Sequence, residues 1–162
     1  MNNRLSFFRW RPTTTAILFC GFLLVLVALV ASFIINNFQP TTSVAIGSGI
    51  YNVALADTQQ ERTKGLSGVE KLSINGGMLF DFQANGEWGI WMKDMKIPID
   101  VIWIDAGKKV VHIEENLDPS LGTTRTFVPK KPSRYVLELP SGSASKAGIR
   151  IGTEAKFKLE TE

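Results

Sequence analysis

The chain has 162 residues, 44% of them hydrophobic, and a mean hydropathy of +0.07, which suits one core-forming domain of modest size. Its formal net charge is +3, and Arg4, Arg9 and Arg11, with no acid among them, account for the whole excess; the balanced remainder offers no electrostatic footprint for nucleic acid. A single cysteine and a single histidine exclude a disulfide framework and a His/Cys zinc site within one chain.

Hydrophobicity is concentrated at the front. Residues 16–35 carry no charge, and at ~1.5 Å rise per residue a helix of that length spans about 30 Å, one hydrocarbon core. A signal peptide has a shorter apolar region of roughly 7 to 15 residues and a small-x-small cleavage site. The expectation is therefore an uncleaved transmembrane anchor over residues 13–35, behind a basic tail over residues 1–12 that the positive-inside rule keeps in the cytoplasm. The location that follows is the cell membrane, single-pass, with the lipid bilayer as partner through residues 13–35 and the C-terminal part outside. Cys20 lies within the run as an ordinary apolar lining residue. Residues 36–43 are polar and broken by Pro40, the composition of a linker, and an exported β-rich domain is expected over residues 44–162.

Within that domain Tyr51, Val53 and Leu55 alternate with Asn52, Ala54 and Ala56, the pattern of a strand with one buried face. Thr58 and Glu61 form a T-x-x-E capping box, and Gly65 supplies a left-handed stop, so a helix of about two turns follows. After the Gly76-Gly77 turn, residues 78–82 read as a strand, joined through Asn85-Gly86 as a hairpin to a strand around residues 89–92. Residues 99–104 are mostly β-branched or aromatic behind Pro98, which tolerates only the first position of a strand. Alternation puts Ile99, Val101 and Trp103 on one face and Asp100, Ile102 and Ile104 on the other, so Asp100 is a carboxylate among apolar neighbours. Residues 109–115 form a hairpin with that strand; an even loop places His112 on the Trp103 face and a three-residue loop places it on the Asp100 face. Residues 116–133, with four proline or glycine breaks, make a long loop. Residues 134–139 alternate as a further strand, Ser143 caps a one-turn helix that Gly148 ends, and residues 154–159 close the chain. The whole predicts an α+β, mainly antiparallel β domain of about seven short strands and two short helices.

The motifs ERTKGLSG (residues 61–68), GGMLFDF (76–82), WMKDMKIPIDVIWID (91–105), VVHIEEN (110–116) and PSRYVLELPSGSASKAGIRIG (132–152) occur in an order that resembles the domain-of-unknown-function family 192, an uncharacterised membrane-linked family. The resemblance covers residues 51–157 and is most specific at Trp91, Met92, Lys93, Pro98 and Asp100. It implies a compact β-rich domain, frequently exported or anchored, and brings no catalytic residues with it. The chain departs from the family pattern at Gly107-Lys108, where similar proteins tend to place Asp-Gly.

Ser143 to Lys146 match S-x-x-K, but no S-D-N or K-T-G accompanies them, and an N-cap accounts for Ser143. No calcium-loop pattern is present, and no metal or cofactor is expected. Trp88 and Trp91 beside the charged turn, with Lys93, Asp94 and Asp100, are the ligand-binding candidates, since aromatic rings next to carboxylates hold sugars and peptides; a lysine fastened to Asp100 is the competing structural role. The function expected is a membrane-anchored extracytoplasmic domain, a non-enzymatic binding or accessory module of the cell envelope, with an envelope protein, peptide or glycan as ligand. The alternative is an exported hydrolase using Asp100 with Lys93 or His112.

Overall fold

The computed structural model describes residues 14–37 and 40–159, with side chains over residues 19–30 and 40–159. Two units are distinguished, residues 1–38 and 39–162. The first contains helix α1 (Thr14–Asn37). Its described side chains, residues 19–30, are exposed. Among the described residues no helix is long and apolar enough to cross a membrane. This corrects the expectations of a transmembrane anchor over residues 13–35, of the bilayer as partner, of a single-pass cell-membrane location, of a membrane-anchored extracytoplasmic module of the cell envelope and of a membrane-linked family. The basic tail expected over residues 1–12 lies outside the described residues.

In the second unit the strands are β1 (Thr41–Ile46), β2 (Gly49–Ala56), β3 (Met78–Gly86), β4 (Ile90–Trp91), β5 (Ile99–Ile104), β6 (Val110–Leu117), β7 (Thr126–Phe127), β8 (Ser133–Pro140) and β9 (Ala155–Lys156). Seven of them form one sheet in the order β6-β5-β8-β3-β2-β1-β9, and β4 pairs with β7 in a second. Only β2 and β3 run parallel; every other described pair is antiparallel. The crossover between β2 and β3 carries helix α2 (Gln59–Lys64), started by the expected capping box and stopped at Gly65, which adopts φ 51°. The β-rich architecture with short helices agrees with the alternation pattern, although the domain begins at β1, so the expected boundary at Val44 falls inside a strand.

Both faces of the sheet are covered. On one, Ile102, Ile104, Tyr135, Leu137 and Leu139 pack with Val44, Tyr51 and the α3 segment (α3, Ser143–Lys146). On the other, Phe80, Val101, Trp103 and Val136 pack with Leu66, Ile90, Met92, Met95 and Phe127. Every residue of β5, Asp100 included, is consequently buried.

Three local expectations are corrected. Asn85-Gly86 makes no hairpin, because β3 continues through both residues to pair Gly86 with Ser133, and β4 finds its partner in β7, inside the expected long loop. Ser143 is not the N-cap; Gly142 holds that position at φ 80° without any side-chain cap. The open hairpin register resolves to Trp103 opposite His112, with an irregularity before Ile104 that brings Val110 opposite Ile104 on the other face. The loop turns through Lys108 at φ 61°, the conformation that glycine takes at no steric cost; its ammonium donates to the Phe157 carbonyl at 3.1 Å and stands 4.7 Å from the Phe157 ring.

Candidate functional site

A cleft of about 320 Å³ opens between α2 with its following loop, the end of β3, and the 88–95 segment. Its shape comes from a local break in β3. Asp81 is buried and accepts both arms of Arg134, Nε and Nη2 at 3.0 Å each, while its Oδ1 also takes the Gln83 N–H at 2.7 Å. Gln83 is thereby held at φ 60°, and the regular β3–β8 register is interrupted between Asp81 and Gly86. Beyond this kink the chain folds Trp88 back onto Phe82, with ring centroids 4.4 Å apart and planes 6° from parallel. The Trp88 indole donates to Ala84 at 3.1 Å, and its carbonyl accepts the indole N–H of buried Trp103 at 2.8 Å. A side chain at Gly86 would meet the Trp88 ring at 2.9 Å, so this stack depends on glycine.

Helix α2 supplies the facing wall. Arg62 donates to the carbonyls of Asp57 and Asp81 and places its guanidinium 5.5 Å from the Phe82 ring centre, giving an Arg62–Phe82–Trp88 layer of cation and two rings. The loop after α2 is tied to the turn before β5: Ser67 donates to the Lys93 carbonyl at 2.9 Å, and the Gly68 N–H donates to Asp94 at 2.9 Å. Trp91, 47% exposed, completes the mouth with the Lys93 ammonium 5.9 Å from its ring centre.

The floor is Glu138. It lies on β8 between Met78 of β3 and Val101 of β5, is 4% exposed, and its Oε2 has no hydrogen-bond partner among the described residues. Burial alone pushes its carboxyl from an ordinary 4.5 up to about 8, since a charged carboxylate loses its hydration there with no cation in return. At neutral pH it is an uncharged acid among apolar and aromatic groups.

The residues expected from the sequence divide between the two faces. Trp88 and Trp91 line the cleft, and Lys93 and Asp94 form the turn beside it, contributing mainly through backbone carbonyls. Asp100 is elsewhere: fully buried, it accepts the N–H of Asn116 at 2.9 Å and of Gly142 at 3.1 Å on Oδ1, and of Ala144 at 2.8 Å on Oδ2. It therefore caps α3 from a neighbouring strand, the task that glycine at the N-cap leaves undone. Nearby, burial raises the Tyr51 phenol, the Ser143 hydroxyl that bonds it lowers it, and the Asp100 charge raises it further, with a net upward result.

The hydrolase alternative is corrected by the same geometry. Asp100 spends its oxygens on backbone N–H groups, exposed Lys93 does not pair with it, and His112 packs 5.2 Å from Trp103 on the other face with Glu114 as its partner at 3.2 Å. Among the described residues, no group of three or more His, Cys, Asp and Glu is placed to hold a metal ion. Glu138, Arg62 and Phe82 were not singled out from the sequence. The available signal was Glu138 sharing the even-numbered face of 134–139 with Val136, a face that alternation by itself assigns to solvent.

The family model for DUF192, described as Uncharacterized ACR, matches residues 42–157. A UPF0127 protein of Thermococcus kodakarensis is 34% identical over 56% of this chain and 54% of its own length. A UPF0127 protein of Thermococcus gammatolerans is 33% identical over 62% and 63% respectively, so the matched part spans about half to two thirds of these curated relatives. Two solved structures share the fold. One, from Sinorhizobium meliloti and provisionally assigned as a transcription regulator, has a TM-score of 0.70 and 26% identity, covering 74% of this chain and 95% of that one. The other, of unknown function from Novosphingobium aromaticivorans, has a TM-score of 0.66 and 27% identity, covering 73% and 84%.

Proposed function

We propose, for a chain that belongs to the DUF192 family, that the β-rich domain is a binding module for a small planar aromatic molecule, held in the cleft between α2 and residues 88–95. The observation that carries this reading is Glu138, a buried carboxyl with an unpartnered oxygen at the floor of an aromatic-walled cleft. An unsatisfied buried acid costs stability, and a ligand that hydrogen-bonds to it would offset that cost. The cleft volume lies at the lower end of small-molecule sites, about 300 to 1,000 Å³, and its mixture of rings with one convergent polar group is typical of them. Trp88 and Trp91 supply the stacking surfaces, with Lys93 at the rim.

The regulator assignment of the Sinorhizobium protein, brought to this chain, gives ligand binding a sensing role. Beyond α1, the described α-helices, α2 and α3, have six and four residues, too short to serve as recognition helices.

Titration of the full chain with 2-naphthoate, followed by tryptophan fluorescence, tests the reading. Saturable quenching is expected, weakened about 2- to 10-fold in Trp91→Ala, as the loss of one aromatic contact worth about 0.5–1.5 kcal/mol implies. Quenching that never saturates, or that is unchanged in Trp91→Ala, would reject it.

A further inference from the structure

Resting on this reading of the cleft, we infer that Glu138 donates a hydrogen bond to the buried end of the ligand, so that the site takes a small aromatic anion bearing an acceptor, such as a heterocyclic nitrogen, opposite its charge. The argument starts from what surrounds the carboxyl. Its cross-strand neighbours are Met78 and Val101, and β3 adds only Phe80 and Phe82 to the cleft lining. The 88–95 segment contributes Trp88, Gly89, Ile90, Trp91 and Met95, none of them charged. Among the described residues no cation reaches the floor to hold a carboxylate there, so the acid keeps its proton at neutral pH and offers an O–H donor in a dry setting.

The other charged groups lie on α2 and at the rim. Arg62 and Lys64 of α2 are the charged residues that line the cleft besides Glu138, and the Lys93 ammonium stands over Trp91 at the rim. Gln59, Thr63 and Ser67 add polar but uncharged groups. A ligand entering this cleft meets positive charge at the mouth, rings along the walls and a neutral acid at the bottom. An organic cation would meet the wrong sign at the mouth and would have to strip the proton from Glu138. An aromatic anion with an acceptor at its far end satisfies all three zones and would accept from the Glu138 carboxyl that lines the cleft.

Pyridine-4-carboxylate and benzoate are suitable probes because they share size and charge and differ at one ring position, nitrogen against C–H. At pH 6.5 the full chain is expected to bind pyridine-4-carboxylate about tenfold more tightly than benzoate by tryptophan fluorescence, which corresponds to about 1.4 kcal/mol for one hydrogen bond. That preference should vanish by pH 9.5, where Glu138 has lost its proton and faces the ring nitrogen as an anion. In Glu138→Gln, whose amide also donates, the preference should persist and no longer vary with pH. Equal binding of the two probes by the wild-type chain would overturn the donor role and leave the cleft reading standing. A preference that grows with pH would overturn the donor role too, and failure of both probes at millimolar concentration would overturn both.

Discussion

Glu138→Gln should make the protein more stable, and by an amount set by pH. The wild-type carboxyl is raised from 4.5 to about 8 by burial, while in the unfolded chain it titrates near its ordinary value. Below about pH 4.5 both states hold the proton, and the group's contribution is fully present. Between about 4.5 and 8 the unfolded chain has released the proton and the folded chain has not, so unfolding is favoured progressively as pH rises; above 8 both are ionised and the loss is complete. The rise from 4.5 to about 8 corresponds to about 5 kcal/mol. Urea denaturation of the full-length wild type and Glu138→Gln at a series of pH values from 4 to 9 isolates this contribution, since all other titrations subtract out. The difference in unfolding free energy should be flat below pH 4.5, climb through pH 5 to 8 and level off above. A difference that stays constant across that window would refute an unpaired, buried Glu138, and with it the chemistry assigned to the cleft floor.

The other predictions concern residues read from the sequence. Asp100→Ala strips the partner from three backbone N–H groups and should cost at least about 3 kcal/mol in thermal or chemical unfolding, with Asp100→Asn losing less because one oxygen remains an acceptor; a neutral Asp100→Ala would contradict its role as the cap of α3. Asp94→Gly should raise stability by up to about 1 kcal/mol, because Asp94 is exposed at φ 55° and its hydrogen bond from Gly68 uses the backbone carbonyl, which glycine keeps. A loss of stability there would mean that the Asp94 side chain holds the turn.

Local chemistry was legible from the residues alone. The capping box of Thr58 and Glu61, the stop at Gly65 and the strand after Pro98 each depend on groups within a few positions of one another, so short-range sterics and hydrogen bonding decide them. Alternation likewise placed Asp100 with Ile102 and Ile104, a consequence of strand geometry and independent of what the strand packs against. It could not say what Asp100 binds, because the Asn116, Gly142 and Ala144 amides reach it from distant parts of the chain.

The same limit governs the cleft. Period-two spacing states which residues share a face and not whether that face meets water, and the face carrying Val136 and Glu138 is covered because β8 lies between β5 and β3 with the 88–95 segment packed over it. The pairing of β4 with β7 and the fold-back of Trp88 onto Phe82 are likewise products of long-range closure. Residue identity thus determined the turns, caps and faces, where neighbouring atoms do the deciding. The tertiary structure alone decided that a glutamate on an ordinary alternating strand would lose its water and line a cleft, because desolvation belongs to the packing around a group and to no property of the group itself.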